Sequence, residues 1–409
     1  MRWSEGMWKK LWVVRTGLAL LAALLLSGIP AMTAAAQEET ELQEVSPGAK
    51  GGGSISSLEG WEEVESYWRE LETEMGEFLP RWDIGDIWER DEGGIIPGIG
   101  EILKGLIRYL FREIVTNFGL LGQLILLAVA AALLKSLQGS FSSEEVARLT
   151  EAVAFFVLLG LALKSFTVAL EIGRNTVDSM VNFMLALLPV LLTLLASMGH
   201  VTSAGLFHPF IIFSVNLMAS LVRNILFPLI FFATILYMVN HFSPHFKINR
   251  LADLFKDIST WGLGLMLTLF VGLLTIQGVA GGIGDALTLR TAKYMTGAFI
   301  PVVGKMLADA VETVLGYSLL LKNSATIAGL LILSLIVAFP LIKLLALIII
   351  YKFSGAVLQP LGETTLGEAL HTMGNCLVLV FAAVATVSLA FFIGIAIIVG
   401  ASNAAVMLR

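Results

Sequence analysis

The sequence predicts an all-α fold: a polytopic transmembrane bundle of about seven to nine spans, with Gly- and Pro-broken segments, behind a signal peptide and an acidic exported helical segment. Three observations predict it. Hydrophobic residues fill 57% of the 409 positions and charged residues only 14%, against roughly 25% charged in an ordinary globular domain. The apolar residues fall in runs of about 18 or more, the length that crosses roughly 30 Å of hydrocarbon. The runs are rich in Leu, Ala and Ile and show no period-two alternation, so helices rather than a β-barrel satisfy the backbone in lipid.

The N-terminus comes first. Arg2, Lys9, Lys10 and Arg15 precede a short apolar stretch, Leu18 to Ile29, and Ala34-Ala35-Ala36 supplies small residues before Gln37. This is the layout of a cleaved signal peptide over 1–36. An uncleaved anchor helix is the alternative, and either one exports the acidic segment behind it. Residues 37–57 read as a disordered acidic Gly/Ser linker. Between Gln37 and Gly100 the chain has 17 acidic residues against 4 basic ones. A nucleic-acid binder would show a basic face, and none is visible, so nucleic acid is not an expected partner.

Over 58–117 an exported amphipathic helical region is expected. Trp61, Val64, Trp68, Leu71, Met75 and Phe78 recur at heptad a and d spacing, with mostly Glu on the other faces. Such a helix folds back on its own protein, lies on the bilayer, or docks an exported partner through Trp61, Trp68 and Leu71, since buried Trp residues make strong anchors.

From residue 118 to the end a multi-span membrane domain is expected. Candidate spans are Gly119–Leu134, Ala152–Leu170, Val181–Met198, Phe210–Val222, Leu226–Asn240, Ile258–Ala280, Ala325–Ile350 and Leu377–Gly400. Arg223, Asn224 and Pro228 mark a tight break between the fourth and fifth of these. The exported N-terminal segment places His241–Asp257 in the cytoplasm, where Lys247, Arg250 and Lys256 fit the positive-inside tendency. Lys164, Arg223, Lys343 and Lys352 are expected to snorkel or pair structurally. Residues 119–163 align without gaps on 224–268, at an offset of 105, pairing Phe141 with Phe246 and Ala147 with Ala252. Ala186–Val190 and Ala298–Val302 share a Pro motif. A possible internal repeat therefore covers 119–222 and 224–350.

The polar stretch from Gln277 to Asn323 carries the candidate site. Gly278, Gly281, Gly282 and Gly284 are expected to break a helix on backbone-entropy grounds. Asp285, Arg290 and Lys293 come next, then Pro301 as a second break. Lys305, Asp309 and Glu312 share one helix face. Charges at membrane depth persist where protein buries them or water lines them, so this face reads as a pathway lining, or as a solvated surface helix outside the bilayer. No Walker A, nucleophile-elbow, HExxH or CxxC motif occurs. Neither catalytic residues, metal ligands nor a cofactor are expected, and the chain reads as a non-enzyme.

Three segments carry a family resemblance: Gly278–Asn323, with TLRTAKYMTGAFIPVVGKMLADA from Thr288; Ser203–Pro209; and Leu358–Gly362. They resemble the stage III sporulation protein AE family of endospore-forming bacteria. The resemblance runs from about Trp61 to the C-terminus and departs in the Gly-Ser linker. It implies a subunit of the sporulation channel assembly, in the mother-cell-derived membrane around the forespore. It implies as partners the other stage III sporulation A subunits, a forespore membrane protein across the intermembrane space, and an Oxa1-type insertase. A permease-like core, a stand-alone secondary transporter and a scaffold for exported partners all remain open.

Overall fold

The computed structural model describes residues 60–79, 99–141, 144–242, 248–299, 303–361 and 364–407. The signal peptide and linker expected at 1–36 and 37–57 lie outside them. Within these residues every element is helical. In chain order they are α1 (Trp61–Met75), α2 (Ile99–Thr116), α3 (Phe118–Phe141), α4 (Glu144–Ser197), α5 (Val201–Leu221), a π-turn (Val222–Leu226), α6 (Phe227–Phe242), α7 (Asn249–Phe299), α8 (Val303–Leu358), a 3-10 turn (Gln359–Leu361) and α9 (Thr364–Met407).

Five stretches are long and apolar enough to cross a membrane: Phe155–Ser197, Val201–His241, Asn249–Asp285, Leu321–Leu358 and Thr365–Gly400. A sixth arises if α2 and the start of α3, bent by 41°, count as one span. The expected seven to nine spans are therefore not what the described residues hold, and the cause is local. Two pairs of expected spans are each one continuous helix. The polar residues Glu171 to Asp178 do not interrupt α4, and Pro189 of the shared Pro motif lies inside it. Likewise Arg223, Asn224 and Pro228 do not reverse the chain. Pro228 lacks an N–H and crowds the carbonyl four residues back, and the π-turn just before it gives the helix the extra width it needs.

The body is built around α8 and α9, an antiparallel pair that also contacts α4. Of the most apolar window of α8, 78% is buried within the chain, against 17% for α7. The first is thus the core helix and the second a peripheral one. Six hydroxyls inside the apolar helices are satisfied within their own helix, the local solution that lipid favours. Thr176, Thr234, Ser259, Thr326, Ser354 and Thr386 each donate to the carbonyl four residues earlier.

Helix α1 lies on this body. Trp61, Val64 and Trp68 are buried, and Tyr67 meets Phe183 of α4 edge to face at 5.4 Å between ring centres. Leu71 is partly buried against the same core. Burial, then Glu63 and Glu70, push the Tyr67 phenol pKa up. The apolar face considered for partner docking is thus covered by the chain itself, and the Glu face points outward.

Candidate functional site: a buried carboxylate joining two helices

The glycine-rich segment does not break α7, which runs unbroken from Asn249 to Phe299. This corrects the expectation that Gly281, Gly282 and Gly284 interrupt a helix. Glycine costs about 1 kcal/mol in a helix interior. At two of these positions the missing side chain makes room for α5. A Cβ on Gly281 would stand 2.6 Å from Ser203 Oγ and 3.0 Å from Ser203 Cα, and one on Gly284 would stand 2.8 Å from Thr202 Cγ2. Gly282 faces open space.

The chain reaches α5 through a tight turn. α4 ends with Gly199 at φ 88°, a backbone conformation that favours glycine. Gly199 N–H donates to Ala196 O at 3.0 Å and His200 N–H to Leu195 O at 3.1 Å. This is the Schellman pattern that satisfies orphan carbonyls at a helix end. His200 then occupies the N-cap of α5, but its side chain makes no capping hydrogen bond.

Asp285 supplies that cap from α7. Its carboxylate accepts the Thr202 N–H at 2.9 Å and the Ser203 N–H at 3.3 Å to each oxygen. These are the second and third N–H groups of α5, the ones an N-cap side chain ordinarily bonds. The positive end of the helix dipole also favours a carboxylate there. His200 Nδ1 lies 3.4 Å from Asp285 Oδ2. The side chains of Asp285 and His200 are 1% and 3% exposed. Asp285 is the only buried carboxylate among the described residues. Chemically the site is a clamp: a charge held in a dry place by backbone donors, fastening the α4–α5 turn to α7.

The other residues of the expected pathway divide clearly. Arg290 and Lys293 are on α7, and Lys305, Asp309 and Glu312 on α8, but their side chains lie outside the described residues, as does Pro301. A second polar site lies at the π-turn, where Arg223 Nη1 donates to Asp178 Oδ1 of α4. Both side chains are about two-fifths exposed. Arg223 therefore pairs, as expected, but its partner was not singled out from sequence. Nor was His200. The signal available for Asp178 was the polar stretch Glu171 to Asp178 between two apolar runs, and for His200 a titratable residue between two apolar runs.

A family model described as stage III sporulation protein AE matches residues 88–402. The chain belongs to the stage III sporulation protein AE family. This membership gives it a role in sporulation. It is 40% identical over 392 residues to stage III sporulation protein AE of Bacillus subtilis (strain 168), covering 95% of this chain and 98% of that one. No solved structure matches. The family match spans the Asp285 clamp, the turn at Gly199 and the Arg223–Asp178 pair, whereas α1 precedes it.

Proposed function

We propose that this member of the stage III sporulation protein AE family is the membrane-core, permease-like subunit of a multi-protein conduit between mother cell and forespore. On this reading it works beside the other stage III sporulation A subunits, reaches a forespore membrane partner through them, and is inserted by an Oxa1-type insertase. It sits in the mother-cell membrane around the forespore with its N-terminal segment outside the cytoplasm. No covalent chemistry is assigned to it.

The observation that carries the reading is the outer face of α7. Leu251, Leu254, Ile258, Trp261, Leu265 and Leu269 open an exposed apolar stripe that continues to Leu287. At 1.5 Å per residue it is about 54 Å long, against roughly 30 Å of hydrocarbon. Fitting it within lipid would require a tilt of about 56°, beyond the 0–40° that membrane helices adopt. Arg250, Asp253, Lys256 and Asp257 are exposed beside one end of the stripe, and on this reading the excess falls there. Apolar surface beside charges, outside lipid, supports a covering subunit.

The test is a photo-crosslinking amino acid at Leu251 or Leu254 in sporulating cells. The reading expects adducts with other subunits of the assembly at these positions and only lipid-facing silence at Leu269. No adduct at either position, together with substrate flux through vesicles of the purified chain alone, favours a stand-alone transporter and overturns the conduit reading.

A further inference from the structure

A cavity of about 250 Å³ opens where the α2–α3 break meets α4 and α8. Lys164 of α4 and Lys343 of α8 line it, with Glu113 of α2 and Asn117 at the break. Two amines against one carboxylate leave the lining positive. Glu113 is engaged locally, accepting Asn117 Nδ2 at 3.0 Å. Among the described residues neither lysine forms an ion pair. Yet both lie in stretches apolar enough to cross a membrane, where a free charge is expensive and marks a site or a path.

A helix break and an in-helix proline flank this cavity. α2 and α3 bend by 41° about Asn117, so the first turn of α3 borders the cavity through Leu120. The positive end of that helix favours an anion. On the other wall, Pro340 interrupts the hydrogen-bond ladder of α8 one turn before Lys343. A helix break beside a polar cavity within apolar surroundings is one way in which membrane proteins build binding sites.

We propose that this cavity binds a small oxyanion, a phosphate or carboxylate head. Lys164 and Lys343 are its charge partners, and the apolar part of the ligand rests on Leu120 and Val168. The volume lies just under the range of drug-sized pockets, about 300–1,000 Å³. A small free anion or the head group of an anionic lipid fits; a large metabolite does not. Glu113 tunes the site, opposing a doubly charged ligand.

The experiment uses the full chain in nanodiscs. One arm titrates inorganic phosphate against protein in purely zwitterionic phosphatidylcholine and reads the melting temperature. The other uses discs containing phosphatidylglycerol and reads retained lipid by native mass spectrometry. Stabilisation by phosphate supports a soluble source, and retention of phosphatidylglycerol a lipid source. In whichever arm responds, Lys164→Gln and Lys343→Gln weaken binding about tenfold each, the size of a lost charge-assisted hydrogen bond, and Glu113→Gln strengthens it. Lys343→Arg, which keeps the charge, binds within a few-fold of the parent and guards against a folding defect in Lys343→Gln. No response in either arm overturns the proposal. So do lysine variants that melt like the parent and bind equally well.

Discussion

Substituting alanine at Gly281 and at Gly282 separates close approach from helix breaking. Both residues lie in the interior of α7, so both substitutions gain the same helix propensity, about 1 kcal/mol. That gain cancels when the two variants are compared. What remains is the clash. At Gly281 the new Cβ falls 2.6 Å from Ser203 Oγ and 3.0 Å from Ser203 Cα. The hydroxyl can rotate, but the Cα belongs to the first turn of α5 and moves only if the two helices separate. Overpacking of this kind costs about 1–3 kcal/mol. At Gly282 nothing lies within 4 Å, so no cost arises. Gly281→Ala should therefore be less stable than Gly282→Ala by about 1–3 kcal/mol, and Gly282→Ala should match or exceed the parent. Purified protein in detergent micelles, unfolded by heat or by graded denaturing detergent, gives the comparison. Equal stability of the two variants, or a lower stability for Gly282→Ala, would refute the reasoning.

Three other outcomes rest on the same packing. Asp285→Ala leaves one buried and one partly buried N–H group without their acceptor and should cost about 2–5 kcal/mol; Asp285→Asn keeps one carbonyl oxygen and should cost about half as much, read as two distinct melting temperatures. Trp68→Ala removes a side chain that is 5% exposed and should cost about 3–5 kcal/mol. Limited proteolysis should then release α1 before the body unfolds, and an unchanged digestion pattern would contradict its docking. Gly199→Ala forces an L residue to φ 88° and should lower the melting temperature, with a loss of about 1–2 kcal/mol.

Much of the fold was legible because hydropathy is a property of composition, and lipid permits few solutions. The span count was not. Charged and proline-containing stretches in α4 and at the α5–α6 junction resemble loops in sequence, but a helix continues through them once a neighbour or a π-turn meets the local need. Asp178 and Arg223 do this for each other across two helices. The candidate site was half visible. Asp285 stood out as an acid in a glycine-rich apolar stretch. Its role did not, because its partners are backbone N–H groups more than eighty positions away, and backbone donors leave no mark in a sequence. The glycines were misread for a related reason. Their entropic cost is intrinsic and can be counted, while the compensating approach of α5 exists only in the folded chain. Small residues at Gly199, Ser203, Gly281 and Gly284 carry the one available hint, since close membrane helix contacts favour them. Lys164 and Lys343 looked like isolated snorkelling lysines because nothing in the sequence shows that they share a cavity.

The clamp between α5 and α7 is tested most directly by a disulfide in native membranes. A Cβ on Gly284 would lie 3.5 Å from Thr202 Cβ, within the range for a disulfide, about 3.5–4.5 Å. With the buried Cys376 replaced by alanine, Thr202→Cys paired with Gly284→Cys should crosslink under mild oxidation, and Thr202→Cys paired with Gly282→Cys should not. Crosslinking of the control pair alone, or of neither pair in folded protein, would contradict the arrangement.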